Sequence, residues 1–271
     1  MASKDFEFNG VSLISPRWNI QYIPEGIPKK RGNNVQVPYA DGETWVKKSY
    51  ESRTDVLNMW IKPVDATGVL PVGKAPKEQA EINVEYLKSL FGIPGLVVVR
   101  KKMADGTWRK GHAEIVNAIE FAKKVDRANY LIFSVELHFP DPFWYSETLT
   151  TVEIAPTSAA YTFSVTNAGT APIKKMDIIY STGGFSSPKL ENLSTSAWMK
   201  IDETISSGTE LTVDTEACTV LDDDSANHFS ALKHSGDTNW MTLLSGLNNM
   251  KLSCGSTPGG TVTIKYYPAY F

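Results

Sequence analysis

Cysteine, histidine and net charge are all scarce in this chain. Cys218 and Cys254 are the two cysteines among 271 residues. They form no C-x-x-C pair, which excludes a zinc ribbon. In a reducing compartment both are expected as small core thiols; whether a Cys218–Cys254 disulfide exists is not written in the sequence. A net charge of −3 supplies no electrostatic reason to bind nucleic acid or a membrane surface. No apolar run is long enough to span a bilayer, so no membrane insertion is expected. Met1-Ala2-Ser3-Lys4-Asp5 is followed by no apolar h-region. No secretory signal is therefore expected, and synthesis in a cytoplasm with release by lysis is the expectation.

Catalytic signatures are missing too. The chain has no G-x-x-x-x-G-K-[ST], no G-x-G-x-x-G after a strand, no G-x-S-x-G and no H-E-x-x-H. His112 and His138 fall on predicted strands. His228 and His234 lie near Asp222-Asp223-Asp224 and Cys218, all residue types that bind metals. The calcium-loop spacing is absent, so an Asx-rich loop with exposed histidines is expected instead. Acid pairs such as Asp202/Glu203 and Asp141/Glu147 come with neither a cleft nor a fixed separation. No enzyme, cofactor or metal is expected. The basic run Pro28-Lys29-Lys30-Arg31-Gly32-Asn33-Asn34 has no interleaved aromatics, and reads as a solvated turn or a loop docking on an acidic neighbour. Asn192-Leu193-Ser194 matches a glycosylation sequon, without meaning outside a secretory route.

What is present is β pattern. Val35-Gln36-Val37-Pro38-Tyr39, the turn signal Asp41-Gly42 and Trp45-Val46 predict a hairpin. Leu57, Met59 and Ile61 alternate with Val56, Asn58 and Trp60; with apolar residues on both faces, this strand is expected to be covered on both sides. Pro76 to Phe91 predicts the best helix. Pro76 suits the first turn, and Ala80, Val84, Leu87 and Phe91 form one stripe. Ile82, Tyr86 and Leu90 form a second stripe, and Gly92 with Pro94 stops the helix. Leu96 to Arg100 is a buried-type strand leading to the turn Asp105-Gly106. Ala113, Ile115, Ile119 and Phe121 continue an alternating face, and Lys123 to Arg127 form a charged turn. Leu131, Phe133, Val135, Leu137 and Phe139 then alternate strictly with Tyr130, Ile132, Ser134, Glu136 and His138. Pro140-Asp141-Pro142 ends that ladder.

A boundary is expected near residue 150, with 146–158 as a linker or an exchanged edge strand. The remainder, 151–271, is rich in Ser, Thr and Gly. Short β-prone runs recur at Tyr161–Val165, Lys175–Tyr180, Trp198–Ile201, Leu211–Val213, Thr219–Leu221, Lys251–Ser253 and Thr261–Tyr266, which is the spacing of an antiparallel sandwich. The fold class is thus mainly β with one helix. Trp198 and Trp240 could form a platform for a sugar ring, and the alternative is that they pack within the protein; Asp237-Thr238-Asn239 before Trp240 favour its exposure.

Ordered landmarks along nearly the whole chain resemble the distal tail proteins of long-tailed, siphovirus-type phages. They begin with Phe8-Asn9-Gly10, the Gly32-Asn33-Asn34-Val35 to Asp41-Gly42 hairpin, Arg53-x-x-x-Leu57-x-Met59-Trp60 and the helix end Leu87-Lys88-Ser89-Leu90-Phe91. The Asp105-Gly106 hairpin and Phe139-Pro140-Asp141-Pro142-Phe143-Trp144 follow. The second half adds Asn167-Ala168-Gly169-Thr170-Ala171, a Gly246-Leu247-Asn248-Asn249-Met250 turn and Tyr266-Tyr267-Pro268-Ala269-Tyr270. The resemblance implies a tube-like split β-barrel "belt" domain over 1–150 and an outward galectin-like or carbohydrate-module-like sandwich over 151–271. It implies a homo-hexameric ring at the virion tail tip, assembled in the host cytoplasm. Its partners would be the tail-tube protein, the tail-tip hub protein, and receptor-binding proteins or host glycans. No sugar-binding motif carries over. Rival readings are a tail-tube subunit without host contact, a carbohydrate-binding module and a cell-wall hydrolase.

Ring closure needs apolar surface left over from the fold, and sheet edges that something covers. Val56, Leu57, Trp60, Val84 and Tyr86 are the expected subunit-interface residues, with the 35–61 hairpin region and the 76–91 helix covering one another between copies.

Overall fold

The computed structural model describes the chain except for residues 1–4, 22–25, 37–40, 42, 45–47, 122–130, 182 and 236–239. The Val37–Tyr39 and Trp45-Val46 arms of the expected hairpin, its Gly42, the charged turn at 123–127, Tyr130 and residues 237–239 lie outside the described residues. The chain divides into two compact units, Met1–Trp144 with Phe271, and Tyr145–Tyr270. The protein is mainly β, and Pro76–Phe91 is the single α-helix among the described residues.

In the first unit one antiparallel sheet runs in the order Val11–Ser12, Phe6–Phe8, Val97–Lys102, Trp108–Ile115, Leu131–Phe139, Arg53–Ile61, Trp18–Ile20. Its two end strands are neighbours in sequence, so the sheet must curl to bring them together. The Trp18 indole N–H donates across that gap to the Ser12 carbonyl at 3.1 Å. Period-two patterning explains the two longest strands. Leu131, Phe133, Val135, Leu137 and Phe139 are buried, and so are Leu57, Met59 and Ile61 of the partner strand. Gly111 sits mid-strand because a Cβ there would meet the Phe139 ring at 3.2 Å. The Asp105-Gly106 turn is closed by Gly106 at φ +87° and by Asp105 accepting from the Thr107 N–H and hydroxyl.

Three expectations need correction here. The strand beginning at Trp108 stops at Ile115 and does not continue to Phe121. Asn117 takes over the ladder with its side chain, donating to the Ser134 carbonyl and accepting from the Glu136 N–H. A side-chain amide has the same donor and acceptor as a peptide, so pairing continues while the backbone leaves. The Arg53–Ile61 strand is buried on one face only; Thr54, Val56 and Asn58 stay exposed. The basic 28–34 run is also more ordered than a turn, since Lys30–Arg31 pairs with Ser49–Tyr50.

The helix begins and ends as its sequence dictates. Pro76 occupies its first turn after Ala75, and the Gly92 N–H donates to the Lys88 carbonyl. A Cβ on Gly92 would come within 2.8 Å of that carbonyl oxygen, so the residue serves by its smallness. Ala80, Val84, Leu87, Leu90 and Phe91 are buried, and Gln79 and Asn83 join them. Asn83 donates to the Lys62 and Val64 carbonyls, each at 2.9 Å, and accepts from Gln79. These bonds dock the chain leaving the Arg53–Ile61 strand onto the helix.

The second unit holds two five-stranded antiparallel sheets. One is ordered Thr150–Ile154, Val262–Tyr266, Met176–Tyr180, Leu211–Asp214, Thr219–Asp222; the other Ala160–Asn167, Gly246–Ser253, Lys189–Asn192, Ala197–Ile201, Leu232–His234. Alternate residues such as Ile178, Tyr180, Val213, Ile264, Leu190, Met199, Met250 and Leu252 are buried. The 146–158 stretch contributes an edge strand to its own sheet, since Thr150–Ile154 pairs with Val262–Tyr266. The run expected as a turn at 246–250 is strand, paired with Ala160–Asn167. Its Asn248 is buried, accepts from the Leu244 N–H, donates to the Leu244 and Gly246 carbonyls, and meets the Asn192 amide at 3.1 Å. Asn192 of the sequon is buried as well and donates to the Thr242 carbonyl, so its amide is spoken for. Cys218 is exposed and Cys254 half-buried, both as free thiols; the expected burial fails for Cys218, which sits in a turn at φ +56°.

Candidate subunit-interface surface

Strand alternation sends every second residue of Arg53–Ile61 away from the helix-covered core. Val56, Asn58 and Trp60 thus share a face with their cross-strand partners Glu136, Ser134 and Ile132. Val56 is 43% exposed and Ile132 48% exposed, and Trp60 is half-buried beneath the Lys62 ammonium, 4.9 Å from its ring. The opposite face meets the helix, so the same strand divides its apolar residues between a core and an open surface.

Helical spacing makes a second patch. Ile82 is exposed, and Tyr86 is 40% exposed. One side of the Tyr86 ring is held by Trp18, stacked at 5.3 Å with planes 17° apart. Arg17 caps both rings, 4.0 Å above Trp18 and 5.1 Å above Tyr86, a cation–π arrangement that keeps the rings in place.

The five expected interface residues therefore separate. Val56, Trp60 and Tyr86 present surface outside the core. Leu57 is 0% exposed and Val84 9% exposed, both absorbed by their own unit. Ile132, facing Trp60 across the ladder, was missed. It stands in the alternating row of Ser134, Glu136 and His138, and an apolar residue in that row is the available signal.

A buried ionic group lies on the core side of the same sheet. Arg53 and Asp55 are 3.1 Å apart. The Arg53 guanidinium also donates to the Pro142 carbonyl and lies 4.6 Å from the Phe139 ring and 5.0 Å from that of Trp144. Burial lowers the pKa of Arg53, and burial raises that of Asp55 against the opposing pull of Arg53 and Lys101. This arrangement ties the Arg53 end of the strand to the Pro140–Trp144 segment.

In the second unit the two tryptophans have different neighbours. Trp198 carries the Lys189 ammonium 4.9 Å from its ring, and Trp240 packs on Phe229 at 5.7 Å. An open hollow of about 520 Å³ is lined by Phe163, Ser164, Leu193, Ser194 and Asn249 among others, and by neither tryptophan. Asp202 is claimed by Lys200 and Lys233, which hold its carboxyl down at about 2. Glu203 contacts His228. Among the described residues no group of three or more His, Cys, Asp or Glu converges to hold a metal. No helix among them is long and apolar enough to cross a membrane.

Comparison with known proteins finds a partial match to a family model. Residues 165–270 match the model of the siphovirus-type tail component, C-terminal domain. Among solved structures, the SPP1 Dit (gp 19.1) protein, described as a paradigm of hub adsorption apparatus in Gram-positive infecting phages, is similar over 99% of this chain and 100% of its own. The TM-score is 0.68 and the identity 13%, which establishes a shared fold. Two structures of the phage p2 baseplate in its activated conformation, with Sr and with Ca, align over 97% of this chain and 98% and 97% of theirs. Their identities are 7% and 6%, and at a TM-score of 0.43 that likeness carries no weight. No curated protein matches the sequence.

Proposed function

We propose that this chain, whose residues 165–270 match the model of the siphovirus-type tail component, C-terminal domain, is a non-enzymatic ring subunit of a phage tail tip. Six copies close around a channel, the number the family resemblance implies. The ring joins the tail-tube protein to the hub and to the host-binding proteins of the tip. The first unit closes the ring as a belt, and the second faces outward. Assembly takes place in the host cytoplasm, and the mature location is the virion.

The single observation behind this reading is the divided strand Arg53–Ile61. A sheet that buries Leu57, Met59 and Ile61 yet leaves Val56, Trp60 and Ile132 outside has apolar surface beyond its own needs. Such surface marks an interaction site. With Ile82 and Tyr86 it provides two separate patches on one unit, as a head-to-tail contact requires. Mass in solution together with electron microscopy of the purified chain tests the proposal. A closed ring with a central channel supports it, and a lone monomer with no tendency to associate overturns it.

A further inference from the structure

We propose that His228 is a proton-dependent staple that holds residues 223–231 over the open edge of the Thr219–Asp222 strand. That strand is the last in its sheet. The segment after it folds back along the edge: the Asp222 N–H donates to the Ala226 carbonyl at 3.1 Å, the His228 N–H donates to the Val220 carbonyl at 2.8 Å, and Leu221 bridges Asn227. The chain then passes through a short 3₁₀ turn, Phe229–Ala231, into Leu232–His234, the last strand of the other sheet. Residues 223–231 are therefore both a crossover and an edge cover, a device that keeps an unpaired strand from recruiting another.

The imidazole fastens this segment to both sheets. His228 Nε2 lies 3.1 Å from Asp222 Oδ2, and Nδ1 lies 2.6 Å from Glu203 Oε1, just beyond the Ala197–Ile201 strand. An ionised carboxylate only accepts hydrogen bonds. Asp222 is ionised, because the Ala226 N–H and then His228 hold its carboxyl below the usual range. With a carboxylate on each side, both ring nitrogens must carry hydrogen, so the bonded form is the imidazolium. A neutral ring keeps one of these bonds and turns a lone pair toward the other carboxylate.

Asp202, from the Glu203 side, is already taken by Lys200 and Lys233. Asp223 and Asp224 are on the segment itself and Glu210 lies ahead of the adjoining strand, while the charges that act on the ring are those of Asp222 and Glu203. His234 stands on the Leu232–His234 strand. The bond to Asp222 leads in raising the His228 pKa, with Glu203 adding to it against partial burial. A raised folded-state pKa means that the staple's stabilisation is complete below the ordinary histidine value and is lost as pH rises through the folded value. On the acid side the bond to Asp222 persists until pH falls through that group's depressed value.

Hydrogen exchange read by mass spectrometry on the full-length protein from about pH 5 to 9, corrected for the intrinsic rate, tests this. Protection of peptides spanning 223–231 should hold through mild acid and fall roughly tenfold across the His228 titration, while the Ala160–Asn167 strand stays protected. His228→Gln should give low protection that no longer depends on pH in this range. Glu203→Gln should move the midpoint to lower pH. Flat protection across the range in the wild-type protein overturns the proposal, as does equal protection in wild type and His228→Gln. If His228→Gln does not fold, Glu203→Gln decides alone, and an unmoved midpoint overturns it.

Discussion

The indole of Trp18 lies against the phenol ring of Tyr86, centroids 5.3 Å apart and planes 17° from parallel. Trp18 is wholly buried, whereas Tyr86 keeps an open face. A residue from the end strand of the sheet thus fixes the orientation of a ring on the exposed side of the helix, so the proposed interface patch would be ordered before any neighbour arrives. Rigid aromatic anchors lose little entropy on association, which is why such residues dominate contact energies.

Substitutions on the two sides of Arg53–Ile61 should have opposite signatures. Val56→Lys or Trp60→Glu should reduce the mass in solution toward a single chain and leave the unfolding temperature of that chain nearly unchanged, whereas Tyr86→Ser should reduce the mass and also lower stability through the lost Trp18 stack. Leu57→Ala should cost about 2–5 kcal/mol of stability, whatever the state of assembly. Light scattering and calorimetry on the same samples separate the two effects. An intact ring after both Trp60→Glu and Tyr86→Ser would count against the proposed interface.

Asn83 is the buried fastener of the chain after Ile61. Replacing it with Ala leaves the Lys62 and Val64 carbonyls without their donor, at about 1–3 kcal/mol for the loss. Denaturant unfolding should report that drop in the first unit. Protease digestion should show new cleavage between residues 62 and 75, away from the helix itself.

Gly169 faces the closing segment of the second unit so closely that a Cβ would fall 2.0 Å from the Ala269 carbonyl oxygen. That oxygen also accepts the Ala171 N–H. Backbone is on both sides, so neither can yield cheaply. Gly169→Ala should lower stability by about 3 kcal/mol, measured as a lower unfolding temperature for the second unit.

The two thiols should differ in reactivity. Burial pushes Cys254 up to about 11, so at pH 8 about one molecule in a thousand carries its thiolate, the reactive form. Cys218 is exposed. Brief alkylation followed by peptide mass mapping should find Cys218 modified well before Cys254. Equal labelling would show that the second thiol is not shielded.

Much of the architecture was legible because it rests on local periodicity. Leu131 to Phe139 alternates in the sequence and alternates in burial. Pro76 to Phe91 starts and stops where proline and glycine place it. What was not legible follows one physical pattern. Asn248 is expected in a turn and Asn192 is legible only as part of a sequon, while nothing in the sequence marks Asn117 as more than a break in an alternating face. Each instead uses its amide to satisfy backbone groups that come near it only after distant strands have paired. Val56, Leu57, Trp60, Val84 and Tyr86 were all legible as apolar, and nothing local told which of them would be spent on the core.

The order of hydrophobic and polar residues by itself determined that this chain is a β protein with one helix, and where most strands run. Tertiary structure alone decided which apolar residues remain for a neighbour, which asparagines are structural, and that His228 reaches Asp222 and Glu203 together. Periodicity is a property of adjacent residues, while burial and hydrogen-bond satisfaction depend on the strand order of the curled sheet and the sandwich, which brings together residues far apart in the chain.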